Sequence, residues 1–138
     1  MKDMFTLADL NDALIARIGV TSGLADIQGK SGFGILPEGL SRPKCRFGLI
    51  SDTIQGTYGD NLLSSVRYQF SVFADNLSTA TGLQAGLINA FHNVALSLSD
   101  GTIVRPRVLG GRRLLIEGQE SVGYVYHATC DFEFRILS

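Results

Sequence analysis

Residues 64–91 read SSVRYQFSVFADNLSTATGLQAGLINAF, and within them the hydrophobic period changes from two to between three and four across a few turn residues. Val66, Tyr68, Phe70, Val72 and Ala74 fall on one side of an extended chain, with Arg67, Gln69, Ser71 and Phe73 on the other. The stretch therefore predicts a strand with one core face and one largely wet face. Asp75, Asn76 and Ser78 then offer side-chain oxygens to the first free amides of a helix. Ala80, Leu83, Leu87, Ala90, Phe91, Val94 and Leu98 follow as an apolar stripe at helical spacing. A strand running straight into a helix that must lie back across it restricts the chain to folds in which helices cover a sheet. Gly82, Gly86 and Ala90 add a ridge of small residues to that helix. Glycine inside a helix costs roughly 1 kcal/mol against alanine, so the ridge predicts a close approach to the sheet or to another subunit.

The rest of the chain extends the same plan. Thr6 with Asp9 has the form of a capping box, and Leu7, Leu10, Leu14 and Ile18 recur behind it, which predicts a first helix over 7–18 stopped at Gly19. Residues 20–43 carry Gly23, Gly29, Gly32, Gly34, Gly39, Pro37 and Pro43 without a sustained period and predict a long glycine-rich loop. Lys44 to Ser51 alternates as a strand, and QGTYGDN within Asp52 to Leu63 predicts a wide turn. Thr102 to Leu109, Gly110-Gly111, and Arg112 to Gly118 have the form of a hairpin, with Pro106 marking an edge or a bulge because it cannot donate to a ladder. From Val122 to Ile136 alternation is unbroken, which predicts the longest strand. The expected fold is α+β: one domain over residues 1–138, with a mainly antiparallel sheet of about five strands and two helices packed on one face.

Composition excludes more than it suggests. Twelve basic and thirteen acidic residues give a formal charge of −1, too balanced for bulk attraction to nucleic acid or to an anionic membrane. No apolar run approaches the length of a membrane span and the first twenty residues lack the pattern of a signal peptide, so the expected compartment is a cytosol. In it Cys45 and Cys130, both on inward positions, are expected to be packed thiols.

Catalytic constellations are sparse. His127, Asp131 and Glu133 share the polar face of the last strand, which permits an acid-base reading, but His127 and Asp131 would stand about 13 Å apart along a strand. The plainer reading is a solvated face. His92 has no cysteine or second histidine one turn away, so no metal site is expected there. GKSGFG and QGTYGD lack the spacing of a nucleophile elbow or of a phosphate loop. No cofactor is implied.

One charge concentration remains: Arg105, Arg107, Arg112 and Arg113, beside Pro106. If Leu109 pairs with Arg112 in the expected hairpin, Arg105, Arg107 and Arg112 share a face with Leu114 and Ile116, and Arg113 lies opposite with Val104, Val108 and Leu115. Mixed arginine and apolar faces suit a solvated surface or a subunit or partner interface, with contact to DNA phosphates as a third use.

The succession of a short N-terminal helix, a long loop, a strand, VRYQFSVFAD leading into ATGLQAGLINAFHNVAL, then DGTIVRPRVL and a closing YHATCDFEFRIL resembles the tail-completion or tail-terminator proteins of long-tailed bacteriophages and related gene-transfer particles. The resemblance covers most of the chain from Lys44 onward. It implies a non-enzymatic virion protein assembled in a bacterial cytoplasm, a homo-oligomeric and typically hexameric ring. Such a ring caps the major tail tube protein and meets the head-tail connector, with DNA passing through the lumen and no role for a membrane. Arg105, Arg107, Arg112, Arg113 and Pro106 are then candidate interface residues. The alternative is a small α+β enzyme or ligand-binding domain working through His127 and nearby acidic residues.

Overall fold

A computed structural model describes residues 5–37, 39–56, 62–119 and 123–137. In chain order the elements are helix α1 (Leu7–Val20), a 3₁₀ helix (Ser22–Ile27), strands β1 (Ser31–Phe33), β2 (Lys44–Gly56) and β3 (Leu62–Ala74), helix α2 (Leu77–Phe91), and strands β4 (Leu96–Ser97), β5 (Ile103–Val104), β6 (Arg107–Gln119) and β7 (Gly123–Leu137). Five strands form the main sheet in the order β1-β2-β3-β7-β6, while β4 and β5 make a separate two-stranded ladder. Only the β1–β2 pair is parallel, so the fold is the expected α+β arrangement with a mainly antiparallel sheet.

Both helices cover one face of that sheet. The Thr6 hydroxyl accepts from Asp9 N–H at 3.2 Å and Asn76 Oδ1 accepts from Thr79 N–H at 2.8 Å, the side-chain caps expected of the two helix starts. Leu10, Leu14 and Ile18 from α1 and Leu83, Leu87 and Phe91 from α2 join Val66, Tyr68, Phe70, Val72, Cys130, Phe132 and Phe134 from the sheet in one continuous core. Aromatic rings form its middle. Phe70 has ring neighbours Phe47 at 5.2 Å, Phe91 at 5.4 Å and Phe132 at 5.4 Å, separations at which tilted and edge-on pairs attract beyond area burial. The Tyr68 hydroxyl reaches Asn11 Oδ1 at 2.7 Å, which ties α1 to the central strand. Both cysteines are buried thiols, as expected. Burial pushes Cys130 up to about 12 and Cys45 higher still, so neither carries the thiolate that reactivity requires.

Several local expectations are corrected. Helix α1 runs through Gly19 to Val20, because Thr21 closes it by donating its hydroxyl to Arg17 O at 2.6 Å. The glycine-rich segment 20–43 is not all loop: its 3₁₀ helix buries Leu24 and Ile27 in the core, and β1 pairs with the start of β2. Strand β2 continues to Gly56 and β3 begins at Leu62, so both ends of the expected wide turn are strand; its residues 57–61 lie outside the described residues, as does Val122 at the expected start of the last strand. Helix α2 ends at Phe91, so the later members of the predicted stripe lie beyond it: Val94 is half-buried, and Leu98 reaches the core from the residue after β4. The small-residue ridge is split. A methyl on Gly86 would meet Gly23 O at 3.1 Å, so its close neighbour is the 3₁₀ helix and not the sheet; Gly82 has nothing within 4 Å.

The largest correction concerns Gly110-Gly111. No hairpin forms there. Strand β6 passes straight through and pairs along its length with β7, from Arg107↔Glu133 to Gln119↔Gly123. The register jumps from Leu109↔Asp131 to Arg113↔Thr129, so residues 110–112 bulge opposite Cys130. Gly110 sits at φ 66, the left-handed backbone that such a bulge recruits glycine for. Two glycines in series thus serve a bulge inside a strand, where the sequence pattern alone suggests a turn between strands.

Candidate functional site

The arginine concentration lies at the β6 edge of the sheet, and contacts with the end of α2 set where that edge begins. Asn93, in the left-handed region at φ 59, donates its N–H to Pro106 O at 2.7 Å. Arg105 Nη1 donates to Asn93 O at 3.4 Å, and Val108 N–H donates to His92 Nδ1 at 3.1 Å. His92 is thus a structural tie between helix and strand. Pro106 is buried beneath this tie and presents no side chain to a partner.

Farther along, Gln84 projects from α2 into the core and donates its amide to Thr129 O at 2.7 Å and to Arg113 O at 3.1 Å. Beside the bulge, two strand carbonyls turned toward the helix layer need a donor there, and a buried carboxamide supplies it.

All four arginines are exposed, but they do not group as the hairpin reading expects. Arg107 and Arg113 stand with Leu109, Leu115 and Glu117 on the face away from the helices, level with Glu133, Thr129, Asp131, His127 and Val125 of β7. Arg112 occupies the bulge, and Arg105 precedes the strand. The bulge is the reason: it adds two residues to β6 against β7, and an even number keeps the parity of the strand beyond it, where a two-residue turn would have reversed it.

Next to the arginines, Leu114, Leu115 and Ile116 are exposed by 40%, 51% and 59%, three large apolar residues in succession. Since they alternate in direction, both faces of the edge strand are apolar there. No described strand lies beyond β6, so its outer backbone groups face away from the sheet.

The open face of the sheet holds the residues of the acid-base reading. His127 stacks on Phe73 with ring centroids 4.4 Å apart, and Arg46 lies 5.6 Å above the same ring on its own strand. Glu117 Oε1 is 3.6 Å from His127 Nδ1, beyond hydrogen-bond reach. Asp131 is held by Arg67 at 2.8 Å, and Glu133 by Arg135 at 3.1 Å. The three expected partners therefore do not converge: each carboxylate is committed to its own arginine. Among the described residues no group of three His, Cys, Asp or Glu side chains is placed to hold a metal.

Shallow depressions line this face. One of about 380 Å³ lies among Ile35, Arg42, Lys44, Arg46, Phe73 and Glu117, and another of about 190 Å³ beside the bulge among Arg67, Arg112, Arg113 and Asp131. Arg42 in the first is already engaged by Asp75 at 2.6 Å. Glu117, Arg67 and Gln84 are the residues that sequence reasoning misses. Opposite charges on the wet faces of two strands point toward the Arg67–Asp131 pair, but only the register selects it; Gln84 sits inside an apolar stripe and gives no signal of its own.

No described helix is long and apolar enough to cross a membrane. No protein-family model and no curated protein sequence matches the chain. A solved chain in the virion of a native gene transfer agent (GTA) particle matches it in fold, with a TM-score of 0.69 and 15% sequence identity over 99% of this chain and 100% of that one. At that identity the likeness is one of fold.

Proposed function

We propose that the protein is a structural component of a phage-like virion, which forms a ring on the end of a tail tube and joins it to the head connector. The observation that carries this reading is the end-to-end fold match with a chain of a GTA virion particle. The resemblance of the sequence to tail-completion and tail-terminator proteins supports it independently of the coordinates. In this reading the subunits close head to tail, typically six to a ring, each offering two different patches to its neighbours. The major tail tube protein and the connector bind opposite ends of the ring, and DNA passes through the lumen. The chain itself is not an enzyme, and its place is the tail or neck of the particle.

The exposed arginines at the β6 edge are the proposed contacts, whereas buried Pro106 supports them from below. Replacing Arg105 and Arg107 together with Glu is expected to impair ring formation or docking. Sedimentation and particle infectivity left unchanged would remove both arginines from the interface. Native mass measurement, alone and with purified tail tubes, tests the ring itself.

The rival reading has one observation in its favour: both ring nitrogens of His127 are buried and have no hydrogen-bond partner among the described residues. An isolated imidazole stacked on phenylalanine suits packing as well as chemistry, and the nearby carboxylates are engaged elsewhere. His127→Ala separates the two. The assembly reading expects tail completion to survive, and the enzyme reading expects loss of a small-molecule turnover.

A further inference from the structure

The main sheet ends in two unlike bare edges. Strand β6 is the last strand on one side. On the other, β1 pairs only with Cys45, Arg46 and Phe47, which leaves Gly48–Gly56 of β2 without an outer neighbour among the described strands. Soluble proteins blunt such edges with short strands, lysine or proline, because a row of free N–H and C=O groups recruits other chains. The thirteen residues of β6, RVLGGRRLLIEGQ, are not short and hold neither lysine nor proline; the bulge and the arginines occupy the start of the strand, and past them Leu114, Leu115 and Ile116 leave the edge open. The bare part of β2 likewise exposes Leu49, Ile50 and Ile54, by 40%, 48% and 53%.

We infer that the two edges are made for each other: the β6 edge of one copy pairs with the bare β2 edge of the next copy, so that one sheet runs on from subunit to subunit. This rests on the ring reading above and assigns the seam within it. Three observations select this occupant.

The first is direction. Strands β2, β3, β7 and β6 alternate, so β6 runs antiparallel to β2. A copy moved sideways without being turned over therefore presents its β2 antiparallel to β6 and continues the ladder.

The second is charge. Residues 107–119 carry Arg107, Arg112, Arg113 and Glu117, a net of +2, whereas Gly48–Gly56 carries Asp52 alone, −1. Two β6 strands paired about a two-fold axis would instead bring two such positive edges together, doubling +2 to +4 along one seam, which disfavours that alternative.

The third is geometry. The registers place Arg113 level with Thr129, Ser71 and Arg46, and the middle of the bare β2 stretch is Asp52. Centring the two stretches on each other offsets neighbours by about six residues, roughly 20 Å along the strands. Spread over four strands spaced about 4.8 Å apart, that is a tilt of roughly 45°, close to the range in which sheets close on themselves.

The experiment uses two single variants of the full chain, Leu115→Lys on β6 and Ile54→Lys on β2. Both positions are more than half exposed, at 51% and 53%, so circular dichroism and thermal melting should match the parent. Native mass spectrometry and sedimentation are run on each alone, on an equimolar mixture, and with tail tubes. Each variant alone should need about tenfold or more concentration to assemble. The mixture should give a discrete heterodimer, since one chain keeps a sound β2 edge and the other a sound β6 edge. Rings that persist in both variants overturn the edge pairing while leaving the ring reading intact. A stable homodimer of Ile54→Lys beside a monomeric Leu115→Lys also overturns it, in favour of β6 against β6. A parent chain that stays monomeric both alone and on tail tubes overturns the ring reading itself, and the seam with it.

Discussion

Strands β3 and β6 are each thirteen residues long and both pair with β7, yet they place their apolar residues by different rules. In β3 apolar side chains alternate with polar ones, and Val66, Tyr68, Phe70, Val72 and Ala74 are all fully buried. In β6 the alternation fails at Leu114–Leu115–Ile116, and all three side chains are exposed. Alternation is what a strand needs to bury one face inside its own subunit. A run of apolar residues exposed on both faces serves nothing within the subunit, so β3 describes the inside of one molecule and β6 what lies next to it. The contrast has a direct thermodynamic form. Phe70→Ala removes a ring that touches Phe47, Phe91 and Phe132 and should destabilise the chain by about 3–5 kcal/mol in urea unfolding. Ile116→Ala should change the same measurement by less than about 0.5 kcal/mol. A comparable loss at Ile116 would mean that β6 is part of the subunit core after all, and the contrast would collapse.

The same difference explains which parts of the molecule were legible in the sequence. Strands β3 and β7, both helix starts and the inward cysteines follow from periods and caps that act over a few residues. Elements specified by distant partners were not. The parallel pairing of β1 depends on β2 reaching it, and the 3₁₀ helix depends on Leu24 and Ile27 finding the core. Gly110-Gly111 has the local chemistry of a tight turn, and β7 overrides it by pairing with β6 on both sides of the pair. The candidate site suffered most from this. Its arginines were visible as a composition, but their faces depend on a bulge that no local pattern reveals.

Gln84 joins the two regions, because its amide reaches from α2 to β7 and β6 at Thr129 O and Arg113 O. Gln84→Leu keeps the bulk and removes the donor, leaving the buried Thr129 carbonyl and the part-buried Arg113 carbonyl short of a partner at a cost of about 1–3 kcal/mol. Hydrogen exchange tells more than the total. Protection should fall at the bulge and along β6 while the amides of β3 stay protected, as expected if the edge strand is held by fewer, separate ties. Uniform loss across both strands would show that edge and core unfold as one unit.

The smallest effect concerns two glycines one turn apart on α2. In a helix, alanine is favoured over glycine by about 1 kcal/mol where nothing obstructs the added methyl. At Gly82 nothing lies within 4 Å, so Gly82→Ala should stabilise the free chain by up to about 1 kcal/mol. At Gly86 the new methyl would stand 3.0 Å from Leu24 Cδ2 and 3.1 Å from Gly23 O. The leucine tip can turn aside, but the carbonyl is backbone of the 3₁₀ helix, so Gly86→Ala should forfeit the gain. Equal stabilisation at both sites would mean that the 3₁₀ helix gives way and is only loosely seated on α2. The more informative outcome is a Gly82→Ala chain that melts higher as a monomer but assembles less readily than its parent. An exposed helical glycine would then be kept free of a side chain for a neighbouring subunit's sake, and the outer surface of α2 would join β6 on the side of the molecule that faces outward.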